Sequence, residues 1–337
     1  TVSETYSHNG IVYLKAGTKS QEILEKKGDD LRIDWGYFYL AADAANMDAG
    51  VGKAVDLRNC FKNGGCLSSI GREGENSEGR MSMSREYGMV KTAAGSLMIG
   101  YDDIYSIQYF GENLRPYWNA DGKSNIEEQF EKARKEEKSL IARCYDFDRS
   151  LMREAENAGG HDYAELCALA YRQAIHAHKL VKSPNGDLLW LSKENNSNGS
   201  IGTVDVTYPS APLFLLYNPV LAEGLMNHIY YYSESGRWTK PFPSHDVGTY
   251  PLANGQTYGG DMPVEEAGNM LILTLAVSHY SGSIEYAAKH WATMTTWAEY
   301  LERFGLDPEN QLCTDDFAGH FAHNANLSVK EILGIAS

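Results

Sequence analysis

The strongest constraint on this chain is a change of periodicity part-way along it. Up to about residue 118, runs at residues 11–14, 33–40 and 89–99 contain β-branched and aromatic residues, with Gly and Asn nearby. That texture predicts short strands. Between residues 126 and 157 the chain turns rich in Glu, Lys and Arg, with apolar residues at Phe130, Leu140 and Leu151. One or two charged helices with a solvated face are expected there. Residues 163–181 place Leu166, Cys167, Ala170, Ala174, Ala177 and Val181 at three- and four-residue spacings, the stripe of an amphipathic helix. Residues 212–232 and 264–280 carry few charges on any face and read as inner helices. In residues 285–304, Tyr286, Trp291, Met294, Trp297, Leu301 and Phe304 supply the apolar side of an outer helix.

Helices paired in hairpins and joined by long Gly/Pro/Asn loops predict an (α/α) toroid, an inner ring wrapped by an outer one. The expected organisation is a β-sandwich-like domain over residues 1–125, a charged linker helix region over 126–158 and a toroid over 159–337. About six helices fit the available length, fewer than a closed six-hairpin barrel needs. Residues 330–337 keep a helical pattern in which Gly334 is the only stop. The toroid is therefore expected to be truncated part-way round.

Bulk properties narrow the function. Lys+Arg 30 against Asp+Glu 45 gives a net charge of −15, which repels phosphate backbones and anionic lipid. Neither nucleic acid nor membrane is expected as a partner. No apolar run approaches the roughly 20 residues of a membrane span. The first residue is Thr1 rather than Met, which fits either a removed leader or a piece of a longer polypeptide. The five cysteines, Cys60, Cys66, Cys144, Cys167 and Cys313, form no C-x-x-C pair and match no zinc spacing. Cys60 and Cys66 flank a loop that a disulfide could close in an oxidising compartment; two unpaired thiols is the reading adopted.

Four loop motifs put polar groups where helices begin or end, as loops that mount catalytic groups on rigid scaffolds do. The first holds Lys193, Glu194 and, after a Gly/Asn-rich turn, Asp205, with an inner helix starting near Pro212. The second holds Arg237 and Trp238, then His245 and Asp246. In the third, Pro263 suits a first helical position, so Glu265 and Glu266 fall in the first turn, with Asn269 three residues beyond Glu266. First-turn acids also simply complement the helix dipole. The fourth runs from Asp315 and Asp316 through His320, His323 and Asn324 to Asn326 and Lys330.

His320 and His323 lack a Cys or Glu at a zinc-site offset, so no metal is expected; no cofactor is predicted, a structural Ca²⁺ being left open. Residues 119–122 resemble a calcium hand, but Tyr117 occupies the first ligand position. No nucleophile elbow, phosphate loop or dinucleotide fingerprint occurs. What remains is carboxylate chemistry, in which one acid donates a proton while another activates water against an amide or a glycosidic bond. Trp190, Trp238, Tyr208 and Tyr250 are candidates to stack on a sugar, although core packing explains each as well.

These motifs together resemble the glutaminase A family: Ser192-Lys193-Glu194 through Thr203-Val204-Asp205-Val206, Gly236-Arg237-Trp238, His245-Asp246-Val247-Gly248, Pro263-Val264-Glu265-Glu266, and Asn326-Leu327 with Lys330. Residues 101–110 resemble its upstream β-domain. The resemblance implies a β-sandwich-type domain and a six-hairpin toroid related to a glycosidase clan. It implies hydrolysis of L-glutamine to L-glutamate and ammonia, and a secreted or periplasmic location. On this reading Asp205, Asp246, Glu265, Glu266 and Asp316 are the catalytic candidates. Asp205 or Glu266 activates water and a protonated Asp246 donates to the departing ammonia. Lys193, Glu194, Arg237, Trp238, His245, Asn269, Asn326 and Lys330 are the substrate-binding candidates for a small molecule. A glycoside hydrolase using the same acids and a non-catalytic fragment are the alternatives. A remaining C-terminal part of the same polypeptide, or a homo-oligomer, is the expected protein partner.

Overall fold

A computed structural model of the protein describes residues 2–25, 33–69, 79–194, 197–314 and 316–337, the side chains of Ser69 and Asp316 excepted. N-terminal strands in sheets are followed by helical hairpins, and the chain divides into two units.

The first unit comprises the described residues up to 104 together with 121–150. Strands β1 (Val2–His8) and β2 (Ile11–Gly17) form a hairpin over Asn9 and Gly10, both at positive φ. An Asn-Gly turn of this kind matches the twist of its flanking strands. β2 pairs with β3 (Tyr37–Asp43), and after β4 (Met47–Lys53), α1 (Ala54–Lys62) and β5 (Gly79–Arg85), β6 (Met98–Asp102) closes the sheet in the order β1-β2-β3-β6. In β2 the run Ile11 to Leu14 is buried without alternation, because both faces are covered. Val12 and Leu14 pack with Ala49 against the methionine-rich β4–β5 hairpin. On the opposite face Tyr13 stacks on Tyr6 at 5.0 Å and meets Phe130 edge-on at 5.7 Å.

Two strand expectations shift. Gly36, at φ +82°, delays β3 to Tyr37. Residues 89–97 carry no regular structure, and β6 begins only at Met98. Met89 and Val90 stand exposed, so their apolar run has no partner strand to make it one. None of the five cysteines, all among the described residues, is in a disulfide, and Cys60 Sγ donates to the Cys66 carbonyl at 3.0 Å.

The charged segment is a continuous helix, α2 (Ile126–Gly159). The second unit takes residues 105–120 and 151–337 of the described chain. Residues 105–120, which the strand texture groups with the first domain, belong here by contact. β7 (Ile107–Tyr109) pairs with β8 (Glu112–Leu114) on one side and lies parallel to β11 (Leu252–Ala253) on the other. Helix α3 (His161–His176) stops before the expected Val181, and a hairpin of β9 (His178–Lys182) and β10 (Leu188–Ser192) follows. Val181 pairs with Leu189 across it, so its helical spacing is accidental.

Helix α4 (Val204–Tyr217) starts at Val204 rather than near Pro212, with Pro209 and Pro212 inside it. Pro219 instead takes the first position of the next helix, α5 (Pro219–Glu234). Then come α6 (Pro263–Ser281), α7 (Glu285–Lys289), α8 (Trp291–Phe304) and α9 (Ala325–Ala336). α6 is the inner helix, buried all round from Val264 to Leu271 and packed against α4, α5, α8 and α9. α6 and α9 cross closely, since a Cβ on Gly334 would sit 3.1 Å from Gly268 Cα. No helix among the described residues is long and apolar enough to cross a membrane.

Candidate functional site

The site is built where the first turns of α4 and α6 meet the loop that joins α5 to α6. Thr203 precedes α4, which places Asp205 in its first turn with a side chain 13% exposed. Pro263 opens α6, so Glu265 and Glu266 fall one turn in, and both are 0% exposed. Surface complements of a helix dipole are exposed; these acids point inward. The two helix N-termini favour negative charge, but two fully buried carboxylates still need specific partners.

Glu265 has a cation. Lys330, from α9, lies 2.9 Å from its Oε1 and donates to Asn269 Oδ1 at 2.7 Å. The same ammonium sits 3.9 Å over the Tyr208 ring. Asn269 in turn donates to Glu266 Oε2 at 3.3 Å. Glu266 Oε1 accepts no hydrogen bond from any described residue. Burial, then repulsion from Asp205 and Glu265, holds the Glu266 carboxyl well above the usual carboxylate range, against the pull of Asn269 and Lys330. Burial also raises Asp205, opposed by the His245 ring and reinforced by Glu265 and Glu194. Glu194 is fixed by Thr203 Oγ1, which donates to its Oε2 at 3.3 Å.

His245 stacks on Tyr258 with centroids 4.2 Å apart. Its Nδ1 donates to Asp246 Oδ2 at 3.0 Å, and its Nε2 lies 3.6 Å from Asp205 Oδ1. Asp246 is fully buried and accepts backbone N–H bonds from Gly248 (2.8 Å), Thr257 (3.0 Å) and Tyr258 (3.1 Å). With both oxygens committed as acceptors, Asp246 orients His245 and is not placed to donate a proton to a leaving group.

The other expected residues distribute as follows. Arg237 is exposed, its guanidinium 5.6 Å from the centre of the Phe110 ring. Trp238 packs on Tyr232 and Phe242 and lies beneath the Lys240 ammonium. Lys240 pairs with Asp261, which accepts from Gln256, whose Oε1 accepts the His245 N–H at 2.8 Å. Trp238 thus joins the site only through this chain of contacts. Asn326 is exposed in the first turn of α9 and donates its N–H to the capping Asn324 Oδ1. Lys193 is half-buried, its backbone bonded to Ala177 and bridged to Ile201. The Asp316 side chain and the whole of Asp315 lie outside the described residues. His323 pairs with Asp307 at 2.6 Å on the surface, away from His320 as a ligand partner.

Of the four aromatic candidates, Trp190 stacks on His178 in the core and Tyr250 hydroxyl donates to the Ser106 carbonyl. Tyr208 alone of the four touches the site, through Lys330. Tyr258 is a site residue that sequence reasoning missed; its placement depends on the fold-back of the loop around Asp246, which no local spacing announces.

The fold and site define a class: a helical-hairpin domain that gathers buried carboxylates at its helix N-termini, preceded in the chain by a β-domain. Residues 160–337 match the glutaminase A six helical-hairpin domain and residues 1–154 match a domain of unknown function, DUF5127. The chain belongs to the glutaminase A family. It is 32% identical to "Glutaminase A" of Aspergillus oryzae (strain ATCC 42149 / RIB 40) over 340 residues, covering 97% of this chain and 49% of that protein. It is 31% identical to "Probable glutaminase/05536" of Arthroderma benhamiae (strain ATCC MYA-4681 / CBS 112371) over 248 residues, covering 56% and 29% respectively. The chain therefore spans about half the length of the first of these curated relatives and less than a third of the second.

Proposed function

We propose that the protein is an amidohydrolase that converts L-glutamine to L-glutamate and ammonia. The observation that carries this reading is the acid pair Asp205 and Glu266: Glu266 is fully buried, with its carboxyl raised well above the usual range, while Asp205 keeps an edge toward solvent. Both carboxyls are raised, Glu266 the further of the two, and such a difference assigns Glu266 as acid and Asp205 as base. Asp205 takes the proton of the attacking water, and Glu266 gives its proton to the departing ammonia. The names of the relatives support an amide as the bond attacked. Lys193 and Glu194 suit the α-carboxylate and α-ammonium of the substrate, since the charge of Glu194 already reaches Asp205.

The competing sugar reading is narrowed by spacing to a retaining enzyme. Carboxylate oxygens of Asp205 and Glu266 approach within 4.8 Å, which excludes the roughly 6.5–9.5 Å of an inverting glycosidase but matches the roughly 5–5.5 Å of a retaining one. Free glutamine and a panel of p-nitrophenyl glycosides decide the matter, scored for ammonia and for nitrophenol. Ammonia from glutamine is expected, lost by on the order of 100-fold or more in Glu266→Gln with the thermal melt unchanged. Nitrophenol without ammonia would sink the glutaminase reading.

A further inference from the structure

Asp205, His245 and Glu266 come from three separate segments, and one ligand atom of each lies within 4.8 Å of the other two. What sets them apart from an ordinary acidic cluster is the bonds they leave unmade. Glu266 is fully buried, and its Oε1 has no hydrogen-bond partner among the described residues. Asp205 Oδ1 has none either, with His245 Nε2 3.6 Å away. Because Nδ1 of His245 donates to Asp246, a neutral ring turns the lone pair of Nε2 toward Asp205. With both carboxyls ionised, two buried oxygens and a ring nitrogen gather with no proton between them. A carboxylate oxygen buried without a partner is costly to leave so, and a shared cation satisfies all three groups.

The support around His245 has the same meaning. A metal-bound imidazole usually donates its second N–H to a carboxylate, which fixes tautomer and orientation. Asp246 does this here, itself clamped by the N–H groups of Gly248, Thr257 and Tyr258. We propose that Asp205, His245 and Glu266 bind one divalent transition-metal ion. The donor set of two carboxylates and one imidazole suits Zn²⁺, Mn²⁺ or Fe²⁺. It suits Cu(I), which seeks thiolates, and Ca²⁺, which seeks six to eight oxygens, much less well. Bonds of about 2.0–2.2 Å require the ligand atoms to close to roughly 4 Å or less, a sub-ångström adjustment of side chains.

Ion binding is a separate state from the hydrolytic reading: a ligating carboxylate must be deprotonated, so a Glu266 that holds the ion does not hold the proton that reading gives it. Metal uptake is measured without substrate. Protein stripped with a chelator and titrated with Co²⁺ and with Zn²⁺ is expected to take up one equivalent, seen as visible absorption of bound Co²⁺ and as a raised Tm. Asp205→Asn and Glu266→Gln are each expected to weaken uptake by at least 10–100-fold, and Asp246→Asn by about 10–100-fold. His323→Ala, at the exposed His323–Asp307 pair, leaves uptake unchanged. Should Glu266→Gln fail to fold, Asp205→Asn, at a partly exposed position, decides alone. No uptake by the wild-type protein, or uptake indifferent to Asp205→Asn, overturns the proposal. Ammonia release without metal uptake removes the ion and leaves the glutaminase; uptake without ammonia release does the reverse.

Discussion

At the scale of single residues, His228 ties stability to pH. It is completely buried, its Nε2 bonded to the Gly202 carbonyl at 3.2 Å, and burial lowers its pKa to about 4 from 6.5. The unfolded ring takes its proton first, so the stabilising contribution is complete above pH 6.5 and is lost as pH falls toward 4. The full difference is worth roughly 3 kcal/mol. Glu266 acts in the opposite sense: its folded pKa is raised, so its burial costs more as pH rises through that value. The urea midpoint of the wild-type protein is therefore expected to fall between pH 6.5 and 4 more steeply than that of His228→Gln; parallel curves would refute the assignment. Gly202 is required beside it, since at φ +63° a Cβ would lie 2.0 Å from the ring nitrogen.

Much of the site's membership was legible at this scale. Asp205, His245, Glu265, Glu266, Asn269 and Lys330 sit in loop-and-helix-start motifs whose polar residues have no place on an apolar stripe, and the fold brings them together. The role of Asp246 was not legible, because three backbone N–H groups converge on it only through the loop's own conformation. Arg237 and Asn326 had the right chemistry, but nothing in their spacing shows that one stacks on a ring and the other faces solvent.

At the scale of elements, the inner helices were readable where length and low charge coincide, as in α6. They were misread where proline has two meanings: Pro212 lies inside α4, and Pro219 opens α5. The α6–α9 crossing rests on small residues. A Cβ on Gly268 would meet Lys330 Cγ at 2.4 Å and its carbonyl at 3.0 Å, so a larger side chain displaces α9 and Lys330 with it. Gly268→Leu is expected to lower unfolding stability by about 1–3 kcal/mol. Activity should fall further than the stability loss explains at temperatures where the variant remains folded. Retained activity would show that Lys330 does not need this crossing.

For the whole molecule, a net charge of −15 sets up self-repulsion that salt relieves within a Debye length of about 10 Å at 0.1 M. The melting temperature is expected to rise as NaCl goes from about 10 to about 200 mM, over which the Debye length falls from about 30 Å to under 10 Å. A fall over that range would mean that attractive ion pairs dominate instead. The broad architecture, strands and then helical hairpins, followed from the change in periodicity. The parallel pairing of β7 with β11 did not, since it joins segments far apart in the chain that share no local signal.

The placement of Lys330 bears on how the protein is made. Asn269, its partner on α6, is translated 61 residues earlier, so at roughly 5–20 residues per second a ribosome runs on for about 3–12 s before the lysine is added. During that interval the N-terminal turn of α6 carries two acids that no ammonium yet neutralises, and burying it is unfavourable. Docking of the inner helix with Glu265 neutralised is therefore expected only once α9 has been synthesised.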